Sequence, residues 1–375
     1  MNDVQVRVRG AGIVGQSLAL ALARLGLRVA LQTAPPRPGA APRADVRADV
    51  RAYALSAASV ALLRELKVWD SLPPGARTPV HDMQVRGDAP GALIEFSAWQ
   101  QRVGELAWIT DAALLERELE SALGFASNVT RVHEDVPAAL TALCDGRDSA
   151  SRQALGVQVS RHDYAQTAIA ARLTSPRPHA GVARQWFQSE GVLALLPFDS
   201  PQPGASYALV WSLPTPRARA LMALDAGGFE QALREASGAE PGPLALASER
   251  AAWPLALARA DAWCGPGWVL LGDAAHQVHP LAGQGLNLGL ADVATLARVI
   301  AQREPWRGLG DEKLLRRYVR ERAAPTWAMA QVTDTLAGLF SHPAPLAREL
   351  RNRGLTLVNH LAPVKRWLTA RALDS

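Results

Sequence analysis

The stretch from Trp268 to Leu290 leaves this chain few folds to choose from. Trp268-Val269-Leu270-Leu271 is a short apolar run of the length and type of a buried strand. Gly272-Asp273 stops it and leaves a carboxylate at the carboxyl end of the strand, the edge where open α/β sheets bind ligands. A loop of little bulk follows, with Pro280, Gly283 and Gly285, and then an apolar helical pattern from Leu286 to Ile300. Glycines at a helix start let a ligand approach the backbone. The helix N-terminus offers unpaired N–H groups and a partial positive charge to whatever becomes anionic there. The plainer alternative is a Gly-rich loop between a core strand and a helix.

The start of the chain points the same way. Val4 to Arg9 alternates apolar with polar as a strand does, and Gly10-Ala11-Gly12-Ile13-Val14-Gly15 follows at once. A small-residue helix is expected over Gln16 to Leu25, ended by Gly26, and a second strand over Leu27 to Leu31. In such a strand–loop–helix–strand unit the first glycine makes the tight turn, the second admits a pyrophosphate and the third lets helix and strand pack closely. A tight turn without a ligand is the alternative. Further strands are expected within 80–98, 129–132, 164–171, 183–187, 192–197 and 207–213, and helices over 59–69, 112–123 and 228–237. Asp111 is placed to cap the helix that begins at Ala112.

Gly-Asp-Ala-Ala-His at 272–276, followed by His-Pro-Leu-Ala-Gly-Gln-Gly-Leu-Asn-Leu-Gly-Leu-Ala-Asp at 279–292, resembles the second flavin fingerprint of the FAD-dependent aromatic hydroxylases. The fold this implies is that of para-hydroxybenzoate hydroxylase. Within the family the resemblance is to the branch that hydroxylates polyprenyl-phenol intermediates of ubiquinone biosynthesis. Asp49-Val50-Arg51-Ala52-Tyr53-Ala54-Leu55-Ser56 resembles the family's Asp-x-Arg-x-x-Ala-Leu-Ser segment, which places Arg51 near the flavin and its diphosphate, unless it is a solvated loop arginine. Asp145-Gly146-Arg147-Asp148-Ser149 matches Asp-Gly-x-x-Ser, which turns Asp145 and Gly146 toward the diphosphate, unless they form a plain turn. Ala-Leu-Leu-Pro-Phe at 194–198 and the order of the C-terminal helical motifs continue the likeness over almost the whole chain.

The resemblance implies α/β architecture: a Rossmann-like FAD-binding domain (1–75, 104–160 and 255–312), interleaved with an antiparallel-sheet substrate domain (76–103 and 161–254), plus C-terminal helices (313–375). The cofactor site it implies comprises Gly10, Gly12, Gly15, Thr33, Arg51, Asp145, Gly146, Gly272, Asp273, Pro280, Gly283, Gly285, Leu286 and Asn287. Asp273 would hold the ribityl hydroxyls. The backbone of Pro280, Gly283, Gln284 and Gly285 would face the flavin ring. In the family a flavin C4a-hydroperoxide transfers oxygen to an electron-rich phenol, so the chemistry is borne by the flavin, and no general base stands out. The helix N-terminus from Gly283 to Asn287 would stabilise negative charge on the reduced ring. With no second Gly-rich loop, NAD(P)H or a reductase would deliver electrons transiently, and O2 is the co-substrate.

Two departures stand out. The family ends its second strand with a Glu that holds the adenosine ribose, whereas the equivalent position here is Thr33, preceded by Gln32. A neutral hydrogen bond has about half the strength of a charge-assisted one. Relatives also have room for several more strands before Asp145-Gly146, where this chain has only Glu134 to Cys144.

Composition excludes other classes. Hydrophobic residues make up 49% and charged residues 20%, which describes a globular chain. A net charge of +5 with scattered arginines speaks for ordinary surface charge and against a nucleic-acid partner. Cys144 and Cys264 provide neither a disulfide framework nor a metal site, and His276 and His279 lack a third ligand. The N-terminus lacks a signal-peptide core, and no charge-free apolar stretch spans a bilayer. The reading is a cytoplasmic protein with a hydrophobic aromatic substrate. Peripheral contact with the inner membrane, or a place in a quinone-biosynthesis complex, are options, and the oligomeric state is open. The alternatives are a flavin hydroxylase of another hydrophobic aromatic, or a catalytically degenerate scaffold in such a complex.

Overall fold

The computed structural model describes residues 4–33, 49–87, 92–188, 191–238, 240–278 and 284–341. His279, Pro280, Gly283, most of the Arg-Ala-Asp-Val duplication and the segment from 342 onward lie outside these residues.

The chain opens with β1 (Val6–Arg9), α1 (Ile13–Arg24) and β2 (Val29–Gln32). Val6 and Val8 are fully buried against the helices, while Arg7 and Arg9 point to the other face. The small residues of α1 let it lie flat on the sheet, buried from Gly15 to Leu22. Then come β3 (Ala52–Leu55) and α2 (Ala57–Glu65), which Ser56 caps by accepting from the Ser59 N–H. β4 (Arg77–Val80), β5 (Asp82–Arg86) and β6 (Leu93–Ser97) lead away. After α3 (Ala98–Gln101), β7 (Ala107–Asp111) brings the chain back to α4 (Ala112–Gly124). Asp111 caps α4 by accepting from the Leu114 N–H at 2.9 Å.

β8 (Val129–Val132), β9 (Leu140–Leu143) and α5 (Ala150–Ala154) follow. A meander of β10 (Val159–Thr174), β11 (Val182–Gln188), β12 (Gly191–Phe198) and β13 (Ser206–Pro214) leads to α6 (Thr215–Ala223) and α7 (Ala226–Ser237). The chain then runs through β14 (Ala245–Leu246), β15 (Ala251–Ala260), β16 (Cys264–Gly265), β17 (Trp268–Leu270) and β18 (His276–Gln277) to α8 (Gln284–Ala301) and α9 (Glu312–Ser341). The sequence pattern did not reveal α6. It alternates arginine with small residues, Arg217-Ala218-Arg219-Ala220, and buries only Ala218 and Leu221.

β16-β17-β9-β1-β2-β8 form one sheet, parallel except for the β16–β17 hairpin. A larger sheet runs β18-β15-β10-β13-β12-β11-β5-β6, with β14 beside β10; β11 and β5 are parallel, and its other pairs are antiparallel. β3-β7-β4 form a third, small sheet between the two. Alternation along β12 sorts its side chains: Leu193 and Leu195 pack with α6 and α7, whereas Ala194, Leu196 and Phe198 pack toward Val80 and Ile109 of the small sheet. No described helix is long and apolar enough to cross a membrane.

The shortening read before Asp145 is visible as a strap. β8 lies at one edge of the parallel sheet and β9 on the far side of β1, yet only residues 133–139 join them. Parallel strands usually need about a dozen residues to cross over. Register puts Val132 level with Gln32, Arg9 and Leu143. The strap must therefore descend about 10 Å and cross about 14 Å, a diagonal of about 18 Å. Its reach is about 27 Å, which leaves no length for another strand.

Candidate functional site

The carboxyl end of the parallel sheet gathers three glycine-dependent turns. Gly10 has φ of +105°, and a Cβ there would lie 2.3 Å from the Cys144 carbonyl oxygen. A Cβ on Gly15 would lie 1.9 Å from the Gly10 carbonyl oxygen, so helix and loop are in backbone contact. Gly12 is the open position, with nothing within 4 Å of where its Cβ would be. The Gly272–Ala274 turn starts with Gly272 at φ of +58°, next to Val14 of α1. The same valine fills the space beside Gly289 of α8. The Gly10 loop, the Cys144-Asp145 backbone, the Gly272 turn and the start of α8 thus meet at one edge.

Asp145 accepts from the Ser151 N–H and hydroxyl through Oδ2, while its Oδ1 is buried without a partner. Gly146 follows with φ of +82° and open space beside it. Ser149 caps α5, and the buried Arg152 ties the two turns together by donating to the carbonyls of Ala274 at 2.8 Å and Arg147 at 2.9 Å.

Asp273 follows Gly272 in the Gly272–Ala274 turn, with its side chain exposed to solvent. Partial desolvation raises its pKa, against the pull of His276 and Arg147. Its charge also reaches the phenol of Tyr53, whose pKa is raised chiefly by burial.

Arg51, just before β3, is already ion-paired. It donates to both carboxylate oxygens of Asp49, at 2.6 Å in the shortest contact, and also to Tyr53 and Glu116. Burial would raise the Asp49 pKa, but the hydrogen bonds from Arg51 hold it below the usual carboxylate range.

The Asn287 side chain faces protein. Its Oδ1 accepts from the Ser56 N–H at 3.0 Å and the Ser59 hydroxyl at 2.8 Å, and its Nδ2 donates to the Ala54 carbonyl at 2.8 Å. It latches α8 to β3 and α2. The Leu286 side chain joins the core, so at both positions only the backbone is left to face a ligand. Of the other α8 positions predicted to face the ring, Gln284 and Gly285 open the helix.

Sequence reasoning missed the support behind the Gly272 turn. Asp292, fully buried in α8, accepts from the Gly272 N–H at 2.9 Å, from His276 Nε2 at 2.7 Å and from Arg322 Nε of α9 at 2.7 Å. His276 also lies against the Trp263 ring. Among the described residues no cluster of His, Cys, Asp or Glu could hold a metal. Thr33 bonds His133, at 2.9 Å, and Gln32 bonds Asp135, at 2.8 Å, so the end of β2 is tied to the strap.

The large sheet packs an alanine-rich surface against β3. Register puts Ala168, Ala170, Ala194, Ala208 and Val210 on the face that packs against Ala52 and Ala54 of β3. Arg172 joins the two sides. Its Nη2 donates to the Arg51 carbonyl at 2.9 Å and to Asp111 at 3.0 Å, and its guanidinium lies 4.0 Å over the Phe198 ring.

Residues 96–333 match the family described as FAD binding domain. The ubiquinone hydroxylase UbiL of Rhodospirillum rubrum is 31% identical over 99% of this chain and 89% of its own length. The 3-demethoxyubiquinol 3-hydroxylase of Escherichia coli is 31% identical over 99% of both chains. Among solved structures, pqsL, a probable FAD-dependent monooxygenase from Pseudomonas aeruginosa, superposes with a TM-score of 0.75 at 23% identity, over 95% of this chain and all of the other. This last likeness concerns the fold.

Proposed function

The chain belongs to the FAD-dependent aromatic-ring monooxygenases, and from that premise we propose that it hydroxylates the ring of a polyprenyl-phenol intermediate of ubiquinone biosynthesis. The observation that carries the reading is the convergence of the Gly10 loop, the Asp145-Gly146 turn and the Gly272-Asp273 turn on one cleft edge.

These residues fit FAD. Gly12 leaves its side open, as close approach of a pyrophosphate requires. The buried Oδ1 of Asp145 still has no partner at that edge. Bound FAD, reduced transiently by NAD(P)H or a reductase, supplies the oxygen-transfer chemistry with O2. The chain binds and orients. In this proposal the backbone at Gly10, Gly12, Gly15, Asp145 and Gly146 faces the diphosphate, and Asp273 accepts from the ribityl hydroxyls. The backbone of Pro280, Gly283, Gln284, Gly285, Leu286 and Asn287 faces the ring. Thr33 lies by the adenosine, and Arg51 contributes to the field from its pair with Asp49. The alanine-rich surface of the large sheet, packed against β3, keeps water from that side of the site. The division into cofactor-binding segments (1–75, 104–160 and 255–312), substrate-side segments (76–103 and 161–254) and a C-terminal helical part (313–375) belongs to the same proposal, as does contact with a membrane surface or a quinone-biosynthesis assembly.

The visible spectrum of the purified protein, with and without added FAD, tests the first half. Flavin absorbance that co-purifies or saturates is expected. Oxygen uptake by the reduced holoprotein should then rise with a prenylated phenol more than with its unprenylated parent. A protein that binds flavin but ignores every phenol would be a scaffold, and one that binds no flavin would overturn the reading.

A further inference from the structure

We propose that Asp135 is the carboxylate that binds the adenosine ribose of FAD, taking over from the acidic residue missing at the end of β2. The inference rests on the flavoenzyme reading above and adds a residue to it. Dinucleotide folds place an Asp or Glu about 20 residues beyond the glycine loop to take the ribose hydroxyls. Here that place falls to the neutral Thr33, whose hydroxyl bonds His133.

The strap brings a carboxylate back to the same edge. Val132 is level with Gln32, so Asp135 lies just past the end of β8 and folds over the end of β2. Its Oδ1 accepts from Gln32 Nε2 at 2.8 Å and lies 3.5 Å from both Arg7 and Arg9. Arg9 immediately precedes Gly10. The carboxylate therefore sits over the carboxyl ends of β1 and β2, on the face that Arg7, Arg9 and Gln32 share, at the end of the sheet where a dinucleotide's adenosine half binds. All these contacts fall on Oδ1, and the side chain is 63% exposed, which leaves Oδ2 accessible to a hydroxyl. Gln32 Oε1, at the same spot, is a buried acceptor without a donor. A native structure rarely leaves such an atom unsatisfied, and a ribose hydroxyl is the donor it lacks. Gln32 and Arg7 keep Asp135 ionised by lowering its pKa. The bond to ribose is then charge-assisted, as the bond from Thr33 would not be.

The competing role is closure of the strap onto the sheet, and flavin titrations separate the two. Asp135→Asn should weaken FAD about tenfold, the loss of one hydrogen bond to a charged group. It should leave FMN, which has no adenosine, unchanged. Thr33→Glu in that background should restore FAD affinity. The wild type should discriminate by the same factor against FAD lacking the adenosine 2′- and 3′-hydroxyls, a comparison that does not depend on any variant folding. Equal binding of this analogue and FAD by the wild type overturns the proposal. So does an Asp135→Asn variant that binds FAD like wild type, or one that loses FAD and FMN alike. In each of those cases the flavoenzyme reading survives; a wild type that binds no flavin ends both.

Discussion

A carboxylate kept where its charge is disfavoured stores a cost, and Asp273 is such a group. Its folded pKa is raised by desolvation, so the folded state holds more protons than the unfolded state between the two pKa values. Stability falls as pH rises through that window. Asp273→Asn is therefore expected to raise the thermal midpoint of the cofactor-free protein at pH 7, with the advantage shrinking toward pH 4, while it weakens FAD. Melts across pH and a flavin titration check both halves. Asp292 has the opposite sign. Burial would raise its pKa, but His276 and Arg322 hold it below the ordinary carboxylate value. Its contribution is present at neutral pH and is lost as acid titrates it through its folded pKa. Asn287 makes its point without charge: Asn287→Ala removes the partner of the Ser56 N–H, the Ser59 hydroxyl and the Ala54 carbonyl. Denaturant unfolding should show a loss of about 2–4 kcal/mol, since buried groups are left unsatisfied.

At the scale of elements, the strap of residues 133–139 sets a limit on length. Deleting three residues from Val136 to Ala139 would leave a reach of about 17 Å for a diagonal of about 18 Å, and the variant should fail to form the parallel sheet. Doubling the strap with Gly and Ser should cost only about 0.6 kcal/mol. Circular dichroism and thermal melts of the two variants decide it. The elements also show what a sequence makes legible. The glycine loop, the Gly-Asp turn and the Asp111 cap are read easily because each works through neighbours along the chain. The strap announces itself as a missing length. Asn287, Arg172 and Asp135 could not be assigned their partners in advance, because those partners lie 231, 61 and 103 residues away and differ in type at each site. α6 escaped because it buries only Ala218 and Leu221 and shows little apolar periodicity.

At the scale of the molecule, the sheets are held by buried polar contacts as well as by apolar packing. Arg172 belongs to the large sheet, yet its hydrogen bonds go to Arg51 beside β3 and to Asp111 at the start of α4. Desolvation lowers its pKa and Asp111 opposes that. Arg172→Met strips a buried partner from Asp111, and calorimetry should record a loss of about 3–5 kcal/mol, the usual scale for breaking one half of a buried pair. The cleft should loosen with it, seen as faster proteolysis at the β3 segment. The other long-range tie has a consequence for how the protein is made. Arg322 lies near the far end of the described chain, and its partner Asp292 holds the Gly272 N–H that shapes the cofactor turn. A polypeptide still emerging from the ribosome, with residue 322 inside the exit tunnel, has Asp292 without its guanidinium. Such a chain can collapse around α1 and β1 early, but the Gly272 turn gains its full brace only once α9 has been made past its third turn and has docked on α8.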